Sequence, residues 1–417
     1  MKQGYQNMKC GLLGEHLGHS FSPIIHREIA DYSYELVELP PENLGAFVKS
    51  GTLDAFNVTI PYKKEVMPFL DEISPEARAI GAVNTVVRNK DGKLCGYNTD
   101  YFGFDYMIRR VGINVKGKKA VVFGTGGASA TVCAVLRDRG VRELAVIGIE
   151  DNTPETLAKH ADAEIVANAT PVGMYPYNGN SPVDLSFFPA CEGVLDVIYN
   201  PARTALILDA EERGIKTVSG LSMLVAQAVK AFEFFTGDVA EENVCDTIVQ
   251  KISAETQNVV LVGMPGSGKS TVGKRLAQKT GRPFFDADEV FLDMHGKTPA
   301  EVINGCGEEI FREMEHETLC ELGKKSGAVI ACGGGAVTRE YNYRPLHQNG
   351  LILFLDRALD KLSSDGRPLS LKKTPEVLYQ ERIGFYHRFA DLEIKSTEDP
   401  DKTADVMLQA LSQYPYI

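Results

Sequence analysis

The chain lacks several features that mark common classes of protein. Its 417 residues contain no apolar run long enough to span a membrane and no apolar segment near Met1, so the sequence predicts neither a transmembrane helix nor a signal peptide. The eight cysteines are scattered, with no Cys-x-x-Cys, which argues against disulfides and against a zinc site. We therefore expect a cytoplasmic protein.

An excess of positive charge is also missing. The formal net charge is -12, which argues against nucleic acid or an acidic membrane as partner, because phosphate-rich surfaces bind basic footprints. Small anions stay open as substrates, since a few cations suffice to bind them. Apolar residues make up 44% and charged residues 24%, as in ordinary globular proteins, and the length predicts two or three domains.

Short β-like runs alternate with helical segments along the whole chain. This alternation predicts an α/β fold with largely parallel sheets. The predicted strands lie at Ala120–Phe123, Leu144–Gly148, Val194–Val197, Val259–Val262, Ala328–Ala331 and Leu351–Leu355. A polar stretch at 252–257 follows a long helical segment, and we place a short linker and the main domain boundary there.

The strongest motif begins directly after the strand at Val259–Val262. Residues 263–270 read G-M-P-G-S-G-K-S, a complete phosphate-binding loop between a strand and a helix. Backbone N–H groups of such a loop cradle phosphates, the lysine (Lys269) reaches the β- and γ-phosphates, and the hydroxyl of Ser270 binds Mg²⁺. The helix N-terminus adds partial positive charge. This half of the chain is predicted to be an ATP-dependent kinase.

Further motifs follow this loop in order. They are Asp286-x-Asp288, Phe311-Arg312-x-x-Glu315, the triple glycine 333–335, Arg367-Pro-Leu and Glu381-Arg382-x-x-x-Tyr386. Together with the loop they resemble the shikimate kinase family over residues 257–417. The resemblance implies a P-loop NTPase-type domain with a parallel sheet, binding ATP, Mg²⁺ and shikimate.

That resemblance implies a role for each matching residue. Asp288, Arg312, Gly334 and Arg382 would hold shikimate, with both arginines on its carboxylate. Asp288 would also help to deprotonate the attacking hydroxyl beside Lys269, and Ser270 and Asp286 would hold Mg²⁺. The residues implied for ATP are Gly266, Ser267, Gly268, Ser270, Thr271 and the lid arginine Arg367, in a lid that looks short.

The N-terminal half carries a glycine-rich turn and several polar clusters. Residues 124–129 (G-T-G-G-A-S) follow a strand and open a helix, which fits a dinucleotide pyrophosphate. Ser, Asn and Thr pairs upstream suit a polyhydroxylated substrate, and Lys63 with Asp100 suits proton transfer. These clusters resemble the shikimate dehydrogenase family over about residues 8–250.

The second resemblance implies a substrate-binding domain at 1–100 completed by helices at 222–250, and a Rossmann domain at 101–221. Lys63 and Asp100 would be the catalytic pair. The residues implied around 3-dehydroshikimate or shikimate are Ser20, Ser22, Asn57, Thr59, Asn84, Tyr199 and Gln227. Those implied for NADP(H) are Gly124, Gly126, Gly127, Ala128, Ser129 and Gly220.

The sequence departs from the dehydrogenase family at the cofactor. Where the family has Asn-Arg-Thr, residues 150–153 read E-D-N-T, without the arginine that recognises a 2′-phosphate. An acid at this place favours the ribose 2′-hydroxyl of NAD(H). The segment that follows is also short for a crossover with a helix. The family therefore implies NADP(H), while these residues leave NAD(H) open.

Two other interpretations stay open from the sequence. The N-terminal half could be a catalytically silent shikimate-binding or scaffolding module joined to an active kinase, as the trimmed segment suggests. Alternatively, the chain could be a nucleoside monophosphate kinase fused to some other dehydrogenase, since Arg312 and Arg382 could also bind a phosphate. The favoured interpretation is a bifunctional enzyme that reduces 3-dehydroshikimate and then phosphorylates shikimate.

Overall fold

The computed structural model describes residues 2–18, 20–362 and 374–414. Residue contacts divide the chain into two compact units. The N-terminal unit comprises Met1–Gly173, Asn180–Tyr199 and Leu206–Val249, and the C-terminal unit comprises Met174–Gly179, Asn200–Ala205 and Gln250–Ile417. No helix in the described parts of the chain is long and apolar enough to cross a membrane.

The N-terminal unit begins with a mixed six-stranded sheet of order β2-β1-β3-β5-β6-β4. Strands β1, β2 and β3 are parallel, whereas β5 runs antiparallel to β3 and β6. The strands are β1 (Lys9–Gly14), β2 (Ser33–Glu38), β3 (Ala55–Val58), β4 (Glu72–Ile73), β5 (Thr85–Arg88) and β6 (Leu94–Tyr97). The helices are α1 (Ser22–Ile29), α2 (Leu44–Ser50) and α3 (Pro75–Ile80).

A second sheet of this unit has five parallel strands in the order β11-β10-β9-β7-β8. Its strands are β7 (Lys119–Phe123), β8 (Glu143–Ile147), β9 (Ile165–Asn168), β10 (Gly193–Asp196) and β11 (Lys216–Val218). The helices are α4 (Thr99–Val111), α5 (Gly127–Asp138), α6 (Pro154–Ala158), α7 (Ala205–Glu212), α8 (Leu221–Thr236) and α9 (Val244–Thr256), of which residues 250–256 belong to the C-terminal unit.

The strand order of the second sheet explains the short segment noted in the sequence. Dinucleotide-binding sheets commonly have six strands in the order 3-2-1-4-5-6. Here β7 and β8 correspond to strands 1 and 2, and within the described residues no strand lies outside β8. The one helix between β8 and β9, α6, spans five residues. The third strand with its crossover is thus the part that this sheet lacks.

The long helices α4 and α8 close the N-terminal unit. They pack so tightly that a side chain at Gly103 would not fit, because a Cβ there would lie 2.5 Å from the carbonyl oxygen of Met223. This contact fixes the start of α4, which carries Asp100, against α8, which carries Gln227. Two predicted site residues therefore depend on one helix–helix contact.

The C-terminal unit contains a five-stranded parallel sheet of order β13-β14-β12-β15-β16. Its strands are β12 (Asn258–Val262), β13 (Phe284–Asp286), β14 (Val329–Ala331), β15 (Gly350–Asp356) and β16 (Leu392–Lys395). The helices are α10 (Lys269–Thr280), α11 (Ala287–His295), α12 (Pro299–Cys306), α13 (Glu308–Gly323), α14 (Tyr343–His347), α15 (Pro375–Phe389) and α16 (Pro400–Gln413).

The predicted α/β class with largely parallel sheets is confirmed, and each predicted strand overlaps an observed one. One local expectation differs. The polar stretch at 252–257 was expected to be a linker, but α9 continues to Thr256 and β12 begins at Asn258. The Thr256 hydroxyl donates to the carbonyl of Ile252, and Ile252 and Ser253 are both buried, so this polar segment is the last part of a helix.

Candidate active sites

The N-terminal unit brings Lys63 and Asp100 together. The Nζ atom of Lys63 lies 2.6 Å from Oδ2 of Asp100, and their side chains are only 24% and 14% exposed. Lys63 follows β3, and Asp100 lies in the first turn of α4, where the side chain of Asn98 caps the helix. A carboxylate is stabilised at a helix N-terminus. The pair can therefore hold and transfer a proton.

Asn84 is oriented by its neighbours. Its Oδ1 accepts from the backbone N–H of Thr99 at 2.7 Å and from the hydroxyls of Thr99 and Thr85 at 3.2 and 3.1 Å. In the described parts of the chain its Nδ2 has no recorded hydrogen bond. The side chain is thus arranged as a donor, and any ligand atom that it binds must be an acceptor.

Asn57, another predicted substrate residue, is buried, and both the oxygen and the nitrogen of its side-chain amide make hydrogen bonds. Its Oδ1 accepts from the hydroxyl of Tyr34 at 2.8 Å, and its Nδ2 donates to the Thr85 hydroxyl at 3.1 Å and the Asn84 carbonyl at 3.3 Å. Tyr34 stacks on His26 at 3.8 Å, and burial lowers the pKa of His26 to about 3, so that ring is neutral. These contacts suit a residue that holds Asn84 in position.

Of the other predicted substrate residues of this unit, Gln227 joins the same network. The hydroxyl of Thr99 also reaches Oε1 of Gln227 on α8 at 3.3 Å, while Gln227 Nε2 bonds the Leu224 carbonyl. Ser20 accepts from the backbone N–H of Ser22 at the start of α1. The residue between them, Phe21, contacts the ring of Tyr199 at 5.3 Å between centroids. Thr59, half-buried, follows β3 four residues before Lys63.

The glycine-rich turn after β7 has free space beside part of its backbone. Gly124 has φ +109°, and a Cβ there would lie 2.9 Å from the Ala169 carbonyl, so only glycine fits. At Gly126 and Gly127 a Cβ would meet nothing within 4 Å, and Gly126 caps α5 without a side-chain bond. Exposed N–H groups at the N-terminus of a long helix fit a pyrophosphate. Ala128 and Ser129 continue the first turn of α5.

Gly220, also predicted at the cofactor, lies too close to a neighbouring backbone segment to carry a side chain. A Cβ there would lie 2.0 Å from the carbonyl oxygen of Val197, and its N–H donates to the Ile198 carbonyl at 2.8 Å. Gly220 therefore lets the start of α8 lie against the loop after β10, which carries Tyr199.

The loop after β8 carries the acids noted in the sequence. Glu150 and Asp151 are exposed. A Cβ on Gly148 would lie 3.5 Å from Oδ2 of Asp151 and 3.3 Å from the Thr125 methyl group, so the carboxylate folds back toward the glycine-rich turn. The carboxyl end of this strand is where a dinucleotide places its adenosine ribose. Asp151 is the group at this edge best placed to meet that ribose.

The phosphate-binding loop of the C-terminal unit has the backbone that its sequence predicts. Gly263, Gly266 and Gly268 all have positive φ, of +151°, +80° and +94°. Lys269 is buried and its Nζ donates to the carbonyls of Gly263 and Met264 at 2.9 and 3.0 Å. Ser267 is also buried, and its hydroxyl has no hydrogen-bond partner among the described residues. Thr271 continues the first turn of α10 beside the pocket.

Ser270 and Asp286 form a pair of oxygen ligands. The Ser270 hydroxyl donates to Oδ2 of Asp286 at 2.5 Å. Asp286 ends β13 and caps α11 through the N–H of Asp288, which faces the same pocket. Mg²⁺ usually binds one or two protein oxygens and takes its other ligands from water and phosphate. The pair fits that ion.

Across the pocket, Arg312 is almost fully buried, with 2% of its side chain exposed. It donates to Glu315 at 2.7 Å and to Glu308 at 3.1 Å, and its Nε has no partner in the described structure. Burial raises the pKa of Glu315, and Arg312 opposes part of that rise. The sequence had indicated the Arg312–Glu315 spacing, but not that the pair would be buried.

The triple glycine has no side chains, and other residues of the pocket lie in the space that side chains would fill. A Cβ on Gly333 would lie 2.9 Å from Glu315, one on Gly334 would lie 2.7 Å from Pro265, and one on Gly335 would lie 2.3 Å from Arg312. The carbonyl of Gly334 also accepts from Arg382 at 3.1 Å and from Tyr386 at 2.5 Å. The glycines thus allow the two arginines to lie against the backbone beside the phosphate-binding loop.

These groups surround one pocket of about 400 Å³. It is lined by the phosphate-binding loop, the two aspartates, Arg312, Arg382 and the triple glycine. Two cations outside the sequence motifs, Arg357 and Lys361, also line it. The predicted lid arginine, Arg367, lies outside the described residues. The pocket therefore brings together cations that suit an anion, oxygen ligands that suit Mg²⁺ and a loop that suits phosphates.

The buried ion pair gives a test of what holds this pocket together. We expect Glu315→Ala to destabilise the C-terminal unit by about 3–5 kcal/mol, because it leaves a buried guanidinium with one exposed partner. Glu308→Ala, which removes the exposed partner of the same arginine, should cost less than about 1 kcal/mol. Hydrogen exchange of α13 with increasing urea measures both. Equal losses for the two variants would mean that the buried pair contributes no special stability.

Comparisons with known proteins match the two units separately. The family model described as shikimate dehydrogenase substrate binding domain matches residues 12–86, and the family model described as shikimate kinase matches residues 265–412. The two matches are in line with the resemblances stated from the sequence.

Relatives and solved structures cover the N-terminal part. A shikimate dehydrogenase (NADP(+)) from Caldanaerobacter subterraneus is 37% identical over 273 residues, which are 59% of this chain and 96% of that protein. A crystal structure of a chorismate mutase/shikimate 5-dehydrogenase fusion protein from Clostridium acetobutylicum is 36% identical, with a TM-score of 0.55, covering 58% of this chain and 96% of the other. The Thermus thermophilus shikimate 5-dehydrogenase in complex with NADP(H) and shikimate is 32% identical, with a TM-score of 0.53, covering 58% and 99%.

Proposed function

Since the chain belongs to the shikimate dehydrogenase family and continues into a shikimate kinase domain, we propose that it catalyses two consecutive reactions on one ring. The N-terminal unit reduces 3-dehydroshikimate to shikimate, and the C-terminal unit phosphorylates shikimate to shikimate 3-phosphate. The observation that carries this proposal is the presence, in one chain, of the Lys63–Asp100 pair and of a phosphate cradle facing the Arg312 anion site.

The first reaction needs a proton at the carbonyl oxygen of the substrate. NADP(H), the cofactor in the names of the relatives, supplies the hydride when bound on the open turn at Gly126 and Gly127. Lys63 gives its proton to the carbonyl oxygen as the C–H bond forms and the C=O double bond becomes single. Asp100 holds the ammonium group in place at 2.6 Å and stabilises its charge before transfer. Such general acid help is typically worth ~10²–10⁴-fold in rate.

The polar network around this pair supports recognition of a hydroxylated acid. Asn84 offers a donor, because its oxygen is bound within the protein. Ser20 and Ser22 lie at the N-terminus of α1, where a substrate carboxylate is favoured. Thr59, Tyr199 and Gln227 complete the proposed set, with Asn57 positioning Asn84 from behind.

The second reaction transfers a phosphoryl group from ATP to the C3 hydroxyl of shikimate. The new P–O bond forms as the bond between the β- and γ-phosphates breaks, and Asp288 accepts the hydroxyl proton. Arg312 and Arg382 bind the shikimate carboxylate, while Lys269 stabilises the transferring group. Ser270 and Asp286 would hold Mg²⁺, which neutralises developing charge when bound. Most of the catalysis is positioning and charge stabilisation.

Single substitutions should separate the two activities. We expect Lys63→Met to lower kcat for oxidation of NADPH with 3-dehydroshikimate by about 10²–10⁴-fold, with shikimate phosphorylation unchanged. Lys269→Met should lower the rate of shikimate phosphorylation and leave the oxidation of NADPH unchanged. Both rates are measured on the full chain, by absorbance at 340 nm and by ADP release.

A different result would favour the second candidate function, a silent N-terminal module. The observation that favours this second candidate is that no strand lies outside β8 in the described part of the sheet. If the wild-type chain phosphorylates shikimate but neither oxidises nor binds a nicotinamide nucleotide, the dehydrogenase half of the proposal is wrong.

The acid after β8 should affect the choice of cofactor. We expect Asp151→Asn to lower the KM for NADPH about fivefold, because one like charge near a 2′-phosphate is worth about 1 kcal/mol in water. The KM for NADH should stay equal or rise, since the carboxylate no longer accepts from the ribose 2′-hydroxyl. Initial rates with both nucleotides measure this ratio. Glu155→Gln, at an exposed acid nearby, is the control, and an equal change for both nucleotides would contradict the assignment.

A further inference from the structure

Arg357 is a cation of the phosphate pocket that belongs to none of the sequence motifs. It follows directly after β15 and is half-buried. Its Nη1 atom lies 3.3 Å from the position that a Cβ on Gly268 would take, so the guanidinium lies over the last glycine of the phosphate-binding loop. It lines the same pocket as Lys269 and Ser270.

The sheet dictates this position. Strands β12 and β15 are parallel neighbours, with Val262 paired to Phe354, so their carboxyl ends reach the same edge. The approach is close, because a Cβ on Gly263 would lie 2.7 Å from the carbonyl oxygen of Leu355. Whatever side chain follows Asp356 must therefore leave the sheet beside the phosphate-binding loop. The sheet therefore fixes the position from which Arg357 extends.

The other cations of the pocket are already bound to protein groups. Arg312 donates to two glutamates, and Arg382 donates to the Gly334 carbonyl. Lys361 pairs with Glu398 at 2.7 Å, and Lys269 donates to carbonyls of the loop. Within the described residues, Arg357 has neither a hydrogen bond nor an ion pair. A partly dehydrated guanidinium that makes no hydrogen bond within the described structure can gain much from binding an anion.

We propose that Arg357 binds the phosphates of the nucleotide, at the part of the loop that cradles the α- and β-phosphates. The inference rests on the proposed kinase function and adds to it a phosphate-binding residue on the rigid sheet. Because these two phosphates are common to ATP and ADP, Arg357 should contribute to binding both, and little to binding adenosine.

The test is calorimetric titration of the full chain with MgADP, MgATP and adenosine. Arg357→Gln should weaken binding of ADP and ATP by about 10- to 100-fold, as expected for loss of hydrogen bonds from a charged group, and leave adenosine and shikimate affinities unchanged. Arg357→Lys should recover part of the loss. Arg275→Gln, at a half-exposed arginine of α10 that pairs with Asp401, is the matched control and should bind all ligands like the wild type.

The outcomes separate this inference from the function on which it rests. If the wild type binds MgADP and Arg357→Gln binds it within twofold, the assignment of Arg357 is wrong and the kinase proposal stands. If the wild type binds no nucleotide, the kinase proposal fails and this assignment fails with it. An equal loss for adenosine and ADP in a variant with native far-UV circular dichroism would also overturn a phosphate contact.

Discussion

The pairing of strands is the constraint on which both candidate sites depend. In a parallel sheet all carboxyl ends lie at one edge, and ligands bind in the crevice outside that edge. In the C-terminal unit β12, β13, β14 and β15 end there, delivering the phosphate-binding loop, Asp286, the triple glycine and Arg357 to one pocket. In the N-terminal unit the ends of β3 and β7 deliver the loop of Lys63 and the open glycine turn. There the antiparallel strands β5 and β6 also contribute, since Asn84 precedes β5 and Asp100 follows β6.

Hydrogen bonds and ion pairs inside the protein then set the role of each functional group. Asn84 becomes a donor because Thr99 and Thr85 occupy its oxygen, and Asn57 and Tyr34 fix the strand behind it. Arg312 keeps its charge in a buried place because Glu315 and Glu308 bind it. A buried charge without such partners would cost several kcal/mol. The supporting residues are therefore as necessary to these sites as the residues that would touch ligand.

Much of this arrangement could be predicted from the sequence. Buried apolar runs such as Val259–Val262 are read easily as strands, and the phosphate-binding loop carries its own chemistry. The largely exposed strands β2 and β4 were not predicted, and neither was β1, although it is buried. Arg357 and Glu315 could not be assigned roles from the sequence, since their importance comes from neighbours distant along the chain. The sequence showed only that the segment after β8 is short. The strand order explains this, because in the described residues no strand lies outside β8.

The central claim is that one chain carries out both reactions. The most direct measurement supplies the purified full chain with 3-dehydroshikimate, NADPH and MgATP, and follows all products by mass spectrometry. The account predicts that shikimate 3-phosphate accumulates, and that each molecule of it accompanies one NADPH oxidised and one ADP formed. The account would be contradicted if added shikimate were phosphorylated while 3-dehydroshikimate and NADPH remained unchanged, or if shikimate accumulated and was never phosphorylated.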